Sequence, residues 1–119
     1  MEKFWDLKVF KKSHELVKFT YKLTEGFPGE EKFGLVSQMR RAAVSVVANI
    51  VESTKRKTVN DRKHFFVMSD ASLEELKYYF YLAFELKYTD KEKSKEGIFI
   101  SREVGKMLNG LSKSLDRQP

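Results

Sequence analysis

The side chains best suited to metal binding or acid–base chemistry do not complete a catalytic site in this 119-residue sequence. The segment HELVK, residues 14–18, begins like the zinc-binding pattern His-Glu-x-x-His, but Lys18 stands where the second histidine is required. We therefore predict that His14 belongs to the seam of a helix and that His64 lies on the surface. Cysteine, a glycine-rich phosphate loop and a Glu-x-x-His pair suited to a di-iron bundle are all missing from the sequence. No catalytic residue, metal or cofactor is predicted.

Polar residues nevertheless form a regular line along the second of the helices predicted below. Side chains three or four residues apart lie on one flank of a helix. This spacing separates Gln38, Arg41, Ser45, Asn49, Glu52 and Arg56. Arg41 and Glu52 are about 16 Å apart at the standard helical rise, so they cannot pair with each other. Their expected partners are Ser69, Ser72 or Glu75 on the third helix, or residues of a neighbouring subunit.

A buried polar group without a partner costs about 1–3 kcal/mol, so a specific hydrogen-bond network is expected along this line. The predicted members of the network are Arg40, Arg41, Asn49, Glu52, Ser72 and Glu75. We hypothesise that they fix helix register and subunit orientation through directional hydrogen bonds. A solvated polar face is the alternative interpretation.

Basic residues surround the turn between the second and third predicted helices, and Asp61 is the one acidic residue among them. The cluster consists of Lys55, Arg56, Lys57, Arg62 and Lys63. Such a cluster attracts phosphate backbones without sequence selectivity and with a strong salt dependence. The equally open alternative is that these cations complement a helix dipole and keep the protein soluble.

The elements that must position these residues are helices. Apolar residues recur at spacings of three and four, and only two prolines occur, which is typical of an all-α protein. We predict one domain over residues 1–119, folded as an antiparallel up-down-up-down four-helix bundle with helices at about residues 7–24, 30–55, 60–88 and 91–115. Asp6 is a candidate N-cap of the first helix, and Thr58 to Asp61 contain candidates for the third.

The second and third helices carry more apolar surface than a single stripe requires. The second helix places Ala42, Val46 and Ile50 on one line and Ala43, Val47 and Val51 on the next. We therefore predict an apolar arc too wide for one chain to cover. Four consecutive aromatic residues, YYFY at 78–81, cannot all face one interior, because successive helical side chains point about 100° apart. Tyrosines at a wet bundle margin, self-association and base stacking all remain open.

The amino-acid composition limits the classes of function that the protein can have. The chain has 23 Lys plus Arg against 17 Asp plus Glu, a net charge of +6, which makes a polyanion such as nucleic acid a candidate partner. No apolar run approaches the roughly 20 residues that span a bilayer, and the N-terminus lacks the apolar core of a signal peptide. A cytoplasmic protein without a membrane role is expected.

Two segments resemble the signatures of the 23S rRNA intervening-sequence protein family. The first is FPGEEKFGLVSQMRRAAVSVVANIVES, and its matching residues are Phe27, Pro28, Glu31, Gly34, Leu35, Gln38, Arg40, Arg41, Ala42, Ser45, Asn49, Ile50 and Glu52. The second is DASLEELKYYFYLAFELKYT, with matches at Ser72, Leu73, Glu75, Leu76, Leu86 and Tyr88. Ser53, Ala71 and Lys87 stand where the family usually has glycine.

The resemblance implies an antiparallel four-helix bundle that assembles into a ring-like homopentamer. It also implies a relation to the accessory protein of diversity-generating retroelements, which binds nucleic acid and a reverse transcriptase. We therefore expect a non-enzymatic, oligomeric protein that binds nucleic acid, RNA before DNA, through its basic surface. The alternative is a scaffold that binds a protein partner through apolar and aromatic surface, without any nucleic-acid role.

Overall fold

Four long helices account for most of the chain. The computed structural model describes residues 3–117, so residues 1, 2, 118 and 119 of the predicted domain lie outside the described part. The helices are α1, Lys8–Thr24; α2, Leu35–Ser53; α3, Val59–Glu85; and α4, Lys91–Asp116. Helix α1 packs on α2 and α4, and α3 packs on the same two helices, so the four stand at the corners of a bundle measuring 51 × 23 × 21 Å.

Contacts between helices give their directions. The Ser72 hydroxyl donates to the Ser45 hydroxyl at 3.0 Å, which joins the middles of α2 and α3, two helices connected at their adjoining ends by a short turn. Lys63, at the start of α3, pairs with Asp116, at the end of α4. Neighbouring helices are therefore antiparallel, and the predicted all-α four-helix bundle is confirmed.

This topology gives the bundle two distinct ends. The turn end contains the α2–α3 turn together with the start of α1 and the end of α4. The loop end contains the α1–α2 and α3–α4 connections. The predicted basic cluster belongs to the turn end.

Helix α2 begins later than predicted. In place of a helix from residue 30, a 3-10 turn at Gly29–Glu31 precedes α2, and α2 ends at Ser53 rather than residue 55. The carboxylate Oε1 of Glu31 accepts the backbone N–H of Leu35 at 3.1 Å and so satisfies a free donor of the first turn. A Cβ on Gly34 would lie 2.7 Å from that oxygen, so a larger residue there would shift the carboxylate end of Glu31.

The starts of the other three helices follow capping chemistry with one exception. The Thr58 hydroxyl accepts the N–H of Asp61 at the start of α3, and Asp90 accepts the N–H of Lys93 at the start of α4. The prediction that Asp6 caps the first helix is wrong. Leu7 occupies that position without a side-chain cap, because Asp6 belongs to a preceding 3-10 turn, Phe4–Asp6.

Most of the apolar arc of α2 is covered within the chain. Ala42, Ala43, Val46 and Ile50 are all buried against the other helices. The prediction that one chain cannot enclose this arc is therefore largely wrong, because α1 and α3 cover it from two sides. His14 is also not a seam residue: it is exposed and stacks on Phe10 with ring centroids 5.7 Å apart.

Candidate nucleic-acid interface

The five predicted basic residues lie at the turn end, but they are not equally available. Lys55 and Lys57 are exposed in the α2–α3 turn. Within residues 3–117, no ion pair or side-chain hydrogen bond involves either of these lysines. Their ammonium groups are therefore free to meet a phosphate.

Arg56 and Lys63 are each held by a carboxylate. The guanidinium of Arg56 pairs with Glu52 at 2.6 Å and lies 4.4 Å from the ring centroid of Phe65, so α3 supports it from one side. Lys63 pairs with Asp116 across the bundle. A phosphate must compete with these carboxylates before it can contact either cation.

Arg62 is half-buried and extends the buried stripe of α3 toward the turn end. Its Nε is buried and has no hydrogen-bond partner among the described residues. An unpaired buried donor is costly, so Arg62 is held at the edge of the core by packing and not by a hydrogen bond from Nε.

Further cations lie at the turn end that the sequence reasoning did not include. Lys8 begins α1, Lys113 lies in the last turn of α4 and Arg117 follows that helix. The contact between Lys63 and Asp116 brings the end of α4 to the start of α3. The missed signal was topological, because an antiparallel bundle places the beginning of its first helix and the end of its last beside the second turn.

The predicted polar network is divided into separate contacts in the structure. Asn49 donates through Nδ2 to the Ser45 carbonyl at 2.8 Å and to its hydroxyl at 3.2 Å, and Ser72 reaches the same hydroxyl from α3. Asn49 and Ser72 are thus brought together through Ser45. Glu52 lies apart from them and pairs with Arg56 on its own helix.

The remaining predicted network residues also lie apart. Arg40 donates through Nε to the Thr24 hydroxyl at 2.9 Å and stacks on Tyr21, so it fastens the end of α1 to α2. Glu75 accepts the hydroxyl of Tyr79 at 3.2 Å. Arg41 is exposed, and no hydrogen bond or ion pair links it to another of the residues described.

Two of the exposed apolar surfaces bear on the predictions, and Trp5, Val67, Leu86 and Phe99 are exposed elsewhere. At the start of α2, Phe33 is 89% exposed, and Tyr21 and Val44 beside it are 41% and 44% exposed. On α3, Tyr78 and Tyr81 are exposed on either side of the fully buried Phe80. The prediction that the YYFY segment could not face one interior is confirmed.

Metal-binding groups and membrane-spanning helices are not found in the described part of the chain. Residues 3–117 contain no group of three or more His, Cys, Asp or Glu side chains arranged to hold a metal ion. Nor does any helix in that range have the length and apolar character needed to cross a membrane.

Fold and site together define a four-helix-bundle protein with one cationic end. A model of the 23S rRNA-intervening sequence protein family matches residues 5–110, and the chain belongs to this family. The resemblance seen in its two signature segments is therefore confirmed.

A solved structure shows the same fold. It is a protein of unknown function from the S23 ribosomal protein family of Bacteroides thetaiotaomicron, with a TM-score of 0.79 and 23% identity over 88% of this chain and 98% of that one. A comparison with curated proteins finds no match. Neither the family description nor this neighbour indicates an enzymatic activity.

Proposed function

We propose that this protein is a non-enzymatic, oligomeric helical bundle that binds nucleic acid, RNA before DNA, through its turn end. The observation that carries the proposal is the pair of exposed, unpaired lysines Lys55 and Lys57 beside the half-buried Arg62. Phosphate contacts by such lysines supply sequence-independent affinity through the release of counterions. The family description, which names an intervening sequence of 23S rRNA, favours RNA as the polyanion.

Several copies acting together strengthen this proposal. Two or three cations form a weak site alone, whereas weak sites repeated on one particle bind a long polyanion far more tightly. The surface of Phe33, Tyr21 and Val44 is apolar and exposed, and burial in a contact between copies removes it from water. The proposed assembly is the homopentamer that the family resemblance implies. A scattering mass of one chain, 14.0 kDa, at micromolar concentration contradicts the oligomeric part.

The test measures binding of a fluorescent RNA hairpin and a DNA duplex by anisotropy as salt is increased. The double variant Lys55→Gln/Lys57→Gln is expected to bind more weakly. In a plot of log affinity against log salt concentration, its slope should be shallower by about one unit per lysine lost. The matched control is Lys91→Gln/Lys95→Gln, which removes the same charge from exposed positions at the other end of the bundle. Equal binding by wild type and both double variants contradicts the assigned surface, and no binding at low salt contradicts the function.

A protein-interaction scaffold is the second candidate. The 89% exposure of Phe33 favours it, because a side chain of that size gains most from burial against a partner. A Phe33→Ser variant separates the two candidates. If the lysines bind RNA, each single chain of the variant should keep its salt-dependent affinity for RNA, even where the contact between copies is lost. If the protein is a scaffold, the variant should no longer bind its protein partner.

A further inference from the structure

A second concave site lies at the loop end, away from the basic cluster. The end of α1, the end of α3 and the start of α4 enclose an open cleft of about 800 Å³, within the range of small-molecule sites. Aromatic rings from three segments line it: Phe19 on α1, Phe84 on α3 and Tyr88 in the connection to α4. Rings in this arrangement offer flat apolar surface to a ligand.

Three lysines surround the same cleft. Lys22 comes from α1, Lys87 from the α3–α4 connection and Lys93 from the first turn of α4. Within residues 3–117 none of them forms an ion pair. Two carboxylates also line the cleft: Asp90 uses an oxygen to cap α4, and Glu96 is the other. The lysines outnumber the acids, so an anion is the favoured occupant.

The backbone at Lys87 is unusual for a lysine. Its φ is 65°, the one positive value among the non-glycine residues described. Lys87 donates its N–H to Phe84, and Tyr88 donates to Ala83, both at 2.9 Å, which is the hydrogen-bond pattern that normally ends a helix on glycine. A lysine is strained in this conformation, and strained residues concentrate at functional sites.

We infer that this cleft binds a small organic anion with a flat ring, the chemistry of a nucleoside monophosphate. The ring stacks on Phe84 or Tyr88, and the anionic group lies among the ammonium groups of Lys22, Lys87 and Lys93. This inference is independent of nucleic-acid binding at the turn end, because none of the residues lining the cleft belongs to the basic cluster.

The experiment is isothermal titration calorimetry of the full chain with AMP and with adenosine. AMP is expected to bind at least about tenfold more tightly, since adenosine has the ring but lacks the charge. Equal affinities for the two compounds, or no binding of AMP, overturn the inference.

The informative variant is Lys87→Gly, because glycine suits a positive φ and the variant should fold at least as well as the wild type. Its thermal midpoint is expected to rise while its affinity for AMP falls about tenfold, the loss typical of one charge-assisted contact. A merely structural role for Lys87 predicts the rise in midpoint with unchanged AMP binding, and that result overturns the assignment.

Two controls separate this site from the basic cluster. Lys95→Gln removes an exposed charge from the same helix outside the cleft and is expected to leave AMP binding unchanged. Lys55→Gln/Lys57→Gln is also expected to leave it unchanged. If the latter variant loses AMP binding, the nucleotide binds at the turn end and the cleft is not its site.

Discussion

The two ends of the bundle are stabilised by different kinds of contact. At the loop end, Glu31 accepts both the N–H of Leu35 and the hydroxyl of Tyr88, at 3.1 and 2.7 Å, and Arg40 donates to Thr24. The bonds of Tyr88 to Glu31 and of Arg40 to Thr24 join residues 57 and 16 positions apart in the sequence. At the turn end, the polar contact between helices is the exposed ion pair of Lys63 and Asp116.

This difference indicates which end of the bundle contributes to folding stability and which is available for binding. Hydrogen bonds in partly buried sites fix geometry, whereas exposed ion pairs contribute little to stability and weaken further in salt. We therefore expect substitutions in the loop-end half to change folding strongly. Charge substitutions at the turn end should change the affinity for polyanions and leave folding nearly unaffected.

The largest effect is expected at Gly97, where α4 approaches α3. A Cβ at this position would lie 2.7 Å from ring atoms of Phe80, which is fully buried and also contacts Phe19 edge-on. The ring cannot move away without disturbing the core. Gly97→Ala should therefore lower the free energy of unfolding by about 1–2 kcal/mol despite its better helix propensity, measured by urea denaturation.

Gly110 provides the matched control on the same helix. No atom lies within 4 Å of a Cβ added there. Gly110→Ala should therefore increase the free energy of unfolding by about 0.5–1 kcal/mol, the ordinary gain in helix propensity. If both variants change stability in the same direction, close packing does not explain the glycine at 97.

The carboxylate of Glu31 makes part of the loop-end stability depend on pH. The backbone hydrogen bond from Leu35, and then the bond from Tyr88, hold the pKa of Glu31 below its ordinary value, and the same contact raises the pKa of Tyr88. The unfolded chain therefore binds the proton more readily than the folded one. The stabilisation is complete above about pH 4.3 and is lost as pH falls through the lower folded pKa.

Glu31→Gln tests this dependence. The variant should be less stable than wild type at pH 7. The difference should shrink as pH falls below about 4.3, because the carboxylate of the unfolded wild-type chain then takes up a proton more readily than that of the folded one. Thermal unfolding followed by circular dichroism at several pH values measures it. Glu30→Gln, beside it in the same exposed turn, should leave the curve unchanged. A difference that stays constant with pH would mean that the charge of Glu31 is not involved.

Sequence patterns predicted the helices and the position of the basic cluster, because both follow from local spacing. They could not predict the return of Glu31 to α2, because that bond depends on the 3-10 turn that precedes the helix. The pairing of Lys63 with Asp116 joins residues 53 positions apart and needs the tertiary fold. The ion pair of Glu52 with Arg56, in contrast, has a spacing of four and could have been found from the sequence.

That ion pair supplies the smallest expected change in folding. Glu52 is 51% exposed in its side chain, so Glu52→Gln should change the free energy of unfolding by less than about 0.5 kcal/mol. The substitution removes a negative charge and releases Arg56 while Phe65 still supports the guanidinium. Affinity for an RNA hairpin at low salt should therefore rise about twofold to fivefold, and the gain should disappear at high salt.

Anisotropy titrations of wild type, Glu52→Gln and Glu92→Gln measure this last effect. Glu92 lies exposed in the first turn of α4, at the loop end, so its substitution changes the net charge equally but far from the basic cluster. If both variants gain affinity to the same extent, the RNA responds to the overall charge of the protein and the turn end is not a distinct surface. A gain confined to Glu52→Gln means that the carboxylate restrains Arg56, and that the polyanion contacts the bundle where α2 ends.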